Sequence, residues 1–374
     1  MITTALAFLS LAHAGSVFAS TEPEITIGMG GTWGRFMPVT DGYWFFQGAG
    51  GDYWAEDVAD DLSGYNDQDR VKLTDHGSLQ DTQVERCDDG GWLVVGSYSH
   101  TTHDDSSSAW RLDASFGLVH RIDVAQASLA RMHNDMTPLC TDIATGVAYQ
   151  DAGRVSSSFI DLSSGEVGEA YPRDWNSMGG SLAVRRSDER ILSADTPGQG
   201  GNPEIRISVF DKDWEPLETT TFDLPEGVAF WPERLLPLGD GWIVAYLGNE
   251  RGSETGAVWL AALDADFKLV DSLQVTQNGP LEHRPWVVRK GDTLVVSYDR
   301  DVQPRATIVR LQPDAVPEDD GLLDTAGLAG GDDSAGDDNG GADPLVECAC
   351  GTSAAPAAGL LAPLALYTRR RRRS

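Results

Sequence analysis

Short apolar segments recur along the chain, and each of them follows a tight polar turn. The clearest segments cover residues 43–46, 92–95, 147–149, 191–192, 242–246 and 294–298. Counted from Gly42, Gly91, Gly146, Glu189, Gly241 and Asp292, which stand at the turns, the successive steps are 49, 55, 43, 52 and 51 residues. β-branched and aromatic segments that follow Gly and Asp turns are typical of β-hairpins. The pattern therefore predicts one hairpin unit of about fifty residues, repeated six times.

A second turn follows the first in several of these units, at residues 112–118, 160–167, 210–217 and 263–269. Each second turn joins two further apolar segments, so that one unit contains four strands. Six units of four antiparallel strands predict an all-β fold, a six-bladed β-propeller over residues 24–312. A pair of β-sandwiches is the alternative, but a sandwich does not require this period. The repeats carry no WD40 or kelch motif.

The last unit predicts how the ring closes. Its third strand, at residues 305–311, has no fourth strand behind it, whereas residues 24–27 form a spare strand in front of the first unit. Pairing the two would remove two exposed sheet edges. We expect residues 25–27 to be the outermost strand of the sixth blade.

Two cysteines lie inside the repeats. Cys87 and Cys140 fall in the predicted inner strands of consecutive blades, just before the turns. In an exported protein they could form a disulfide. They could equally be separate buried thiols, because a disulfide requires Cα atoms within about 7 Å.

The segments that enter the inner strands carry most of the candidate binding chemistry. In a propeller these segments meet at one mouth of the central channel. Trp faces pack against sugar rings, while charged groups hydrogen-bond to hydroxyls. The candidate ligand-binding residues are Trp33, Arg35, Arg131, His133, Trp175, Trp231, His283 and Arg284. The leading hypothesis is a binding or interaction module for carbohydrate or protein.

A hydrolase is the alternative function at the same mouth. Asp81, Asp135, Glu233 and Glu282 are the candidate catalytic carboxylates, provided that two of them lie about 5 to 9.5 Å apart. The chain has no GxSxG elbow, no P-loop and no GxGxxG motif before a helix, and no local spacing typical of a metal site. We expect no cofactor and no resident metal.

Composition and charge exclude several classes of function. With 58 acidic and 28 basic residues, the net charge is −30, which repels nucleic-acid backbones. Only four cysteines are present, too few for a disulfide-dense small scaffold. No internal apolar run reaches about 18 residues, so a protein with several membrane spans is excluded.

Both ends of the chain resemble targeting segments. Residues 1–19 form an apolar, Ala/Leu-rich stretch that predicts a signal peptide, with cleavage after Ala14 or after Ala19. Residues 313–347 contain eleven acidic residues and no Lys or Arg, which predicts a solvated acidic linker. Residues 348–374 contain Cys348 and Cys350, a short apolar stretch and five consecutive arginines.

This last arrangement resembles the myxobacterial C-terminal sorting signal, MYXO-CTERM. The resemblance covers about the last thirty residues. It implies processing near Cys348 and Cys350 by an intramembrane protease, and attachment of a lipid to one of these cysteines. It further implies display at the outer surface of a Gram-negative cell, or release from it. The expected partners are thus the export machinery, the processing protease and a surface glycan or protein, with membrane contact only through the tail.

Overall fold

In the computed structural model, strands and turns are described for most of the repeat region. The described residues are 16–27, 32–49, 52–64, 70–74, 79–98, 107–124, 137–150, 157–166, 170–172, 177–197, 204–224, 228–249, 255–277, 279–280, 283–301 and 303–316. Cys348, Cys350, the predicted sorting segment and most of the predicted linker lie outside them. The first linker residues, Pro313–Ala315, form a short 3₁₀ turn.

The strands form six antiparallel sheets in chain order, which confirms the predicted propeller. Blade 1 contains β3 (Thr32–Val39), β4 (Gly42–Ala49), β5 (Asp52–Val58) and β6 (Val71–Lys72). Blade 2 contains β7 (Leu79–Arg86), β8 (Trp92–Tyr98), β9 (Ser107–Leu112) and β10 (Leu118–Asp123). Blade 3 contains β11 (Thr137–Cys140), β12 (Thr145–Gln150), β13 (Ser157–Asp161) and β14 (Ala170–Pro172).

The other three blades follow the same plan. Blade 4 contains β15 (Ser177–Arg185), β16 (Arg190–Pro197), β17 (Glu204–Phe210) and β18 (Pro216–Asp223). Blade 5 contains β19 (Val228–Leu238), β20 (Gly241–Asn249), β21 (Thr255–Leu263) and β22 (Leu269–Gln274), and the short β23 (Gly279–Pro280) also pairs with β21. Blade 6 contains β24 (His283–Lys290), β25 (Thr293–Arg300) and β26 (Gln303–Leu311). The first strand of each blade contacts the first strand of the next, and β24 contacts β3, so the ring is closed.

The N-terminal segment completes blade 6, as expected. β2 (Ile25–Thr26) pairs with β26, and the backbone N–H of Ile27 donates to the carbonyl of Pro304 at 3.1 Å. A further strand, β1 (Phe18–Thr21), pairs with β26 closer to its end. The propeller therefore begins before residue 24, inside the stretch predicted as a signal peptide, because β1 pairs with β26, the last of the described strands.

The glycines of the repeated turns have a steric cause. A Cβ atom on Gly42, Gly91 or Gly241 would lie 2.3, 2.5 or 2.3 Å from the carbonyl oxygen of the residue that ends the third strand of the same blade. Real Cβ atoms are essentially never that close to another heavy atom. The close approach of two strands thus accounts for the recurring Gly that marks the period.

The second turns also share one design. The carboxylates of Asp113, Asp211 and Asp264 each accept backbone N–H groups from residues two and four positions further along. Each turn then places an aromatic residue at positive φ: Phe116 at 66°, Trp214 at 63° and Phe267 at 61°. Positive φ is unfavourable for bulky residues. Burial of the rings offsets that strain, as in the stacking of Phe116 on Trp92, 5.4 Å between ring centres.

Candidate functional site

A cavity of about 610 Å³ opens where the six inner strands end. Each inner strand runs toward the turn that joins it to the second strand of its blade, and we call the face with these turns the turn side. All six inner strands line the cavity, through Met37 and Pro38 of β3, Glu85 and Arg86 of β7, Leu139 of β11, residues 182–185 of β15, residues 234–237 of β19, and Val288 and Arg289 of β24. We call it the turn-side cavity. Its volume is that of a small-ligand pocket.

An ion pair crosses the central channel at this cavity. The Arg234 guanidinium donates two hydrogen bonds to the Glu85 carboxylate, one of them at 3.2 Å. Glu85 lies in blade 2 and Arg234 in blade 5, and these blades stand opposite each other in a six-bladed ring. The two side chains are only 16% and 12% exposed, so water screens this pair far less than a surface pair.

The buried indole ring of Trp286 packs against the Arg234 side of this ion pair. The Arg234 guanidinium carbon lies 4.3 Å from the ring centre of Trp286, and that of Arg35 lies 4.8 Å from the same ring. Trp286 is fully buried, and its indole N–H donates to the carbonyl of Phe36 at 3.2 Å. Guanidinium groups are attracted to the face of an indole ring. The channel is therefore filled here by stacked side chains, and the turn-side cavity is a pocket with a charged wall.

Arg86 differs from the other cavity arginines. Its guanidinium donates a long hydrogen bond, 3.4 Å, to the carbonyl of Pro38 and lies 5.5 Å from the ring centre of Trp92. Among the described residues it has no carboxylate partner. Its Nε–H is buried and donates no hydrogen bond in the described part of the chain. Burial alone lowers the pKa of Arg86 from its ordinary value.

Arg289 is a more deeply buried guanidinium at the cavity. It is 6% exposed, and its Nη1 donates to the carbonyl of Gly291 at 3.1 Å. Burial lowers the pKa of Arg289 as well. Arg86 and Arg289 lie on β7 and β24, so the cavity receives positive charge from two separate blades.

Ion pairs stabilise the rim of the cavity, and those of Arg186 join different blades. Arg186 binds Asp88 and also Asp142, at 3.3 Å from the latter, and the backbone N–H of Asp142 donates to Asp88 at 2.8 Å. Burial raises the pKa of Asp88, against the opposing effects of these hydrogen bonds and charges. Arg185 binds Asp188 at 2.7 Å, and this hydrogen bond holds the pKa of Asp188 below its ordinary value.

A disulfide joins blade 2 to blade 3 beside this rim. Cys87 and Cys140 are bonded, with their Cα atoms 4.6 Å apart. Both residues are buried in one apolar cluster with Leu93, Val147 and Ile160. Of the two arrangements that the sequence left open, the structure shows the disulfide.

The structure describes only some of the residues that were predicted to bind ligand at the entrances of the inner strands. Trp33 and Arg35 lie in β3, Asp81 in β7, Trp231 and Glu233 in β19, and His283 and Arg284 in β24. Arg131, His133, Asp135, Trp175 and Glu282 lie outside the described residues, as do the side chains of Trp33, Asp81, Trp231, Glu233 and His283. Their grouping stays a prediction.

Two of these candidates are in contact. The Arg35 guanidinium donates to the backbone carbonyl of Arg284 at 2.8 Å, which links blade 1 to blade 6. Arg35 is fully buried, so its contacts are with the protein interior around Trp286. Arg284 adopts a positive φ of 58°.

The turn-side cavity was not predicted from the sequence, because the candidate binding residues were all placed in the segments that enter the inner strands. The signal lay at the other end of these strands. Arg86, Arg185 and Arg289 each stand within a few residues of a first turn, in a chain with only 28 basic residues. Placing the blades side by side would have brought these arginines together.

The described residues contain neither a cluster of metal ligands nor a membrane-spanning helix. No group of three or more His, Cys, Asp or Glu side chains there could hold a metal ion. Within the same residues, no helix is both long and apolar enough to span a bilayer.

The sequence matches no protein-family model and no curated protein sequence. Among solved structures, a DUF4221 family member from Bacteroides vulgatus is 10% identical with a TM-score of 0.42, covering 78% of this chain and 97% of that one. Hydrazine synthase from Kuenenia stuttgartiensis is 12% identical with a TM-score of 0.43, covering 73% and 78%. The Dos1 propeller is 11% identical with a TM-score of 0.40, covering 73% and 65%. We draw no functional conclusion from these likenesses.

Proposed function

We propose that the chain is an exported, surface-anchored binding module, and that it binds a carbohydrate with a carboxylate group in the turn-side cavity. The observation that carries the proposal is the Arg86 guanidinium, which lines this cavity without a carboxylate partner among the described residues. Arg86 is half-buried, and a partly desolvated charge that lacks a counter-charge is less stable than one that has it. A ligand carboxylate supplies that partner through charge-assisted hydrogen bonds.

The size of the cavity favours a sugar over a protein surface. A stable protein interface needs about 800 Å² from each partner. A pocket of about 610 Å³ instead encloses a ligand of one or a few rings. Its lining includes the apolar residues Leu235, Trp242 and Val288, which suit the apolar faces of a sugar ring.

The state of the cavity carboxylates favours binding over catalysis. Three of the four carboxylates that line the cavity are held by arginines: Glu85 by Arg234, Asp188 by Arg185 and Asp88 by Arg186. The fourth, Asp240, is a single exposed carboxylate, whereas glycoside hydrolysis uses a pair. A general acid at neutral pH needs a pKa near the working pH and access to the substrate. Carboxylates that are bound to arginines in the protein are poorly suited to this role.

Support for export comes from the disulfide and from the chain ends. Disulfides persist in oxidising compartments and are rare in the cytosol. The bonded Cys87 and Cys140 agree with the signal-like residues 1–19. Surface anchoring is supported by the resemblance of residues 348–374 to the MYXO-CTERM signal. Cell fractionation with surface proteolysis tests both claims.

Calorimetric titration with two matched probes tests the ligand class. Methyl galacturonoside and methyl galactoside differ by one carboxylate, and we expect only the acid to bind measurably. Arg86→Met should weaken binding of the acid by about 10- to 100-fold, the range of a hydrogen bond to a charged group. Lys212→Met removes one exposed positive charge outside the cavity and should leave affinity unchanged. Equal binding of the two probes, or full affinity in Arg86→Met, contradicts the proposal.

The hydrolase alternative has its own test. Glu233→Ala and Glu282→Ala should abolish release of reducing sugar from an acidic oligosaccharide while leaving its binding intact, if these carboxylates are catalytic. A binding module releases no sugar in the wild type.

A further inference from the structure

The residues just before β1 are built into the propeller. The backbone N–H of Val17 donates to the carboxylate of Asp271 at 2.7 Å, and the Ser16 hydroxyl donates to the same oxygen at 3.0 Å. The carbonyl of Val17 accepts the backbone N–H of Gln312 at 2.9 Å. Asp271 lies in β22 of blade 5, whereas Gln312 follows β26 of blade 6. Residues 16 and 17 therefore join the last two blades.

Phe18 continues this attachment into the core. It pairs with Leu311 in the sheet and is only 6% exposed. Its ring belongs to an apolar cluster with Leu311 and Val309 of blade 6 and Leu236 of blade 5. Val17, partly buried, packs against the same cluster.

The two candidate cleavage positions have opposite consequences for these contacts. Cleavage after Ala19 removes Ser16 and Val17, the two donors to Asp271, and it removes Phe18, which uncovers the apolar cluster. It also places a charged amino group within β1. Cleavage after Ala14 retains every one of these contacts. The residues Ala12-His13-Ala14 have small side chains at the two positions that signal cleavage favours.

We infer that export cleaves the chain after Ala14, so that the mature protein begins at Gly15. This inference rests on the proposed export. It assigns the residues that follow to the folded protein: they close the sixth blade and are not part of the signal that is removed.

N-terminal sequencing of the exported full chain, produced in a Gram-negative host, tests the position directly. The expected first residue is Gly15. A first residue of Ser20 would overturn the inference and leave export standing, whereas a chain that retains Met1 would overturn both. Ala14→Leu should abolish or displace this cleavage. Ala19→Leu, at an exposed position of β1, should leave it unchanged.

The unfolding of the purified exported protein gives an independent measurement. Phe18→Ala should lower the denaturant midpoint, because Phe18 is present and buried in a chain that begins at Gly15. Ser20→Ala, at an exposed position of the same strand, should leave the midpoint unchanged. If Phe18 were removed by processing, Phe18→Ala and the wild type would yield identical mature proteins with identical midpoints, and the inference would fail.

Discussion

Loss of the Cys87–Cys140 disulfide should destabilise the propeller by about 4 kcal/mol. The two cysteines are 53 residues apart in the sequence. Closing a loop of that length removes about 14 cal/mol/K of entropy from the unfolded chain, or about 4 kcal/mol at 25 °C. Alanine is the suitable replacement, because both sites are buried among apolar side chains where a serine hydroxyl would lack a partner.

The expected change in melting temperature follows from the size of the fold. An unfolding entropy of about 2.1 cal/mol/K per residue over roughly 300 residues gives about 0.6 kcal/mol/K, so that 4 kcal/mol corresponds to a decrease of about 6 to 7 °C. Differential scanning calorimetry of the Cys87→Ala/Cys140→Ala variant measures it. A reductant should lower the melting temperature of the wild type by a similar amount and leave the variant unaffected.

The chain provides a matched control for this experiment. Cys348→Ala/Cys350→Ala removes the same number of cysteines and leaves the disulfide intact, and its melting temperature should equal that of the wild type. If the disulfide is intact by thiol titration and the Cys87→Ala/Cys140→Ala variant still melts within about 1 °C of the wild type, the loop-entropy reasoning is wrong.

Three further predictions concern the turns, the channel and pH. Gly241→Ala should cost about 1 to 3 kcal/mol in unfolding free energy, because its Cβ would lie 2.3 Å from a carbonyl oxygen, whereas Gly279→Ala, with its nearest neighbour at 3.7 Å, should be neutral in the same denaturation assay. Glu85→Gln should cost about 1.5 to 3 kcal/mol, since it removes the counter-charge of the largely buried Arg234 guanidinium, and a Glu85→Leu/Arg234→Met double variant should lose less. Because the pKa of Asp188 is lowered in the folded protein, its stabilising effect is present above the unfolded pKa of about 3.9 and is lost as the pH falls through the lower folded value. The difference in unfolding free energy between wild type and Asp188→Asn should therefore shrink between pH 5 and pH 2. A difference that stays constant over this range would contradict the assignment.

The fold was predictable because its determinants are local. Gly42, Gly91 and Gly241 mark the first turns since no side chain fits beside the third strand, and this constraint is the same in every blade where it occurs. Asp113 and Asp264 mark the second turns because their carboxylates bind the turn backbone. A residue type that a turn requires is visible in the sequence without knowledge of the rest of the molecule.

The first strand was missed for the opposite reason. Phe18 pairs with Leu311, a residue near the other end of the propeller. The apolar stretch before it shows the composition of a signal peptide, and nothing in the neighbouring residues distinguishes a strand from the end of that signal. Only the arrangement of the blades reveals the partner.

The turn-side cavity also depends on long-range geometry. Arg86, Arg234 and Arg289 are far apart in the sequence and meet only when the inner strands surround one axis. The sequence indicated that the strand entrances would converge in this way, but the same convergence applies to the strand exits. Which arginines at the two ends become desolvated is decided by burial, which a single sequence does not display.

Because β1 pairs with β26, the sixth blade can be completed only after β26 has been synthesised. Among the described strands, β1 is synthesised first and its hydrogen-bonding partner β26 last, so that five blades can form before β1 is able to pair. Until β26 has been synthesised, β1 is an unpaired strand that can pair with other chains. Under the proposed export, an unfolded chain could pair β1 with β26 only after nearly the whole propeller sequence had crossed the membrane.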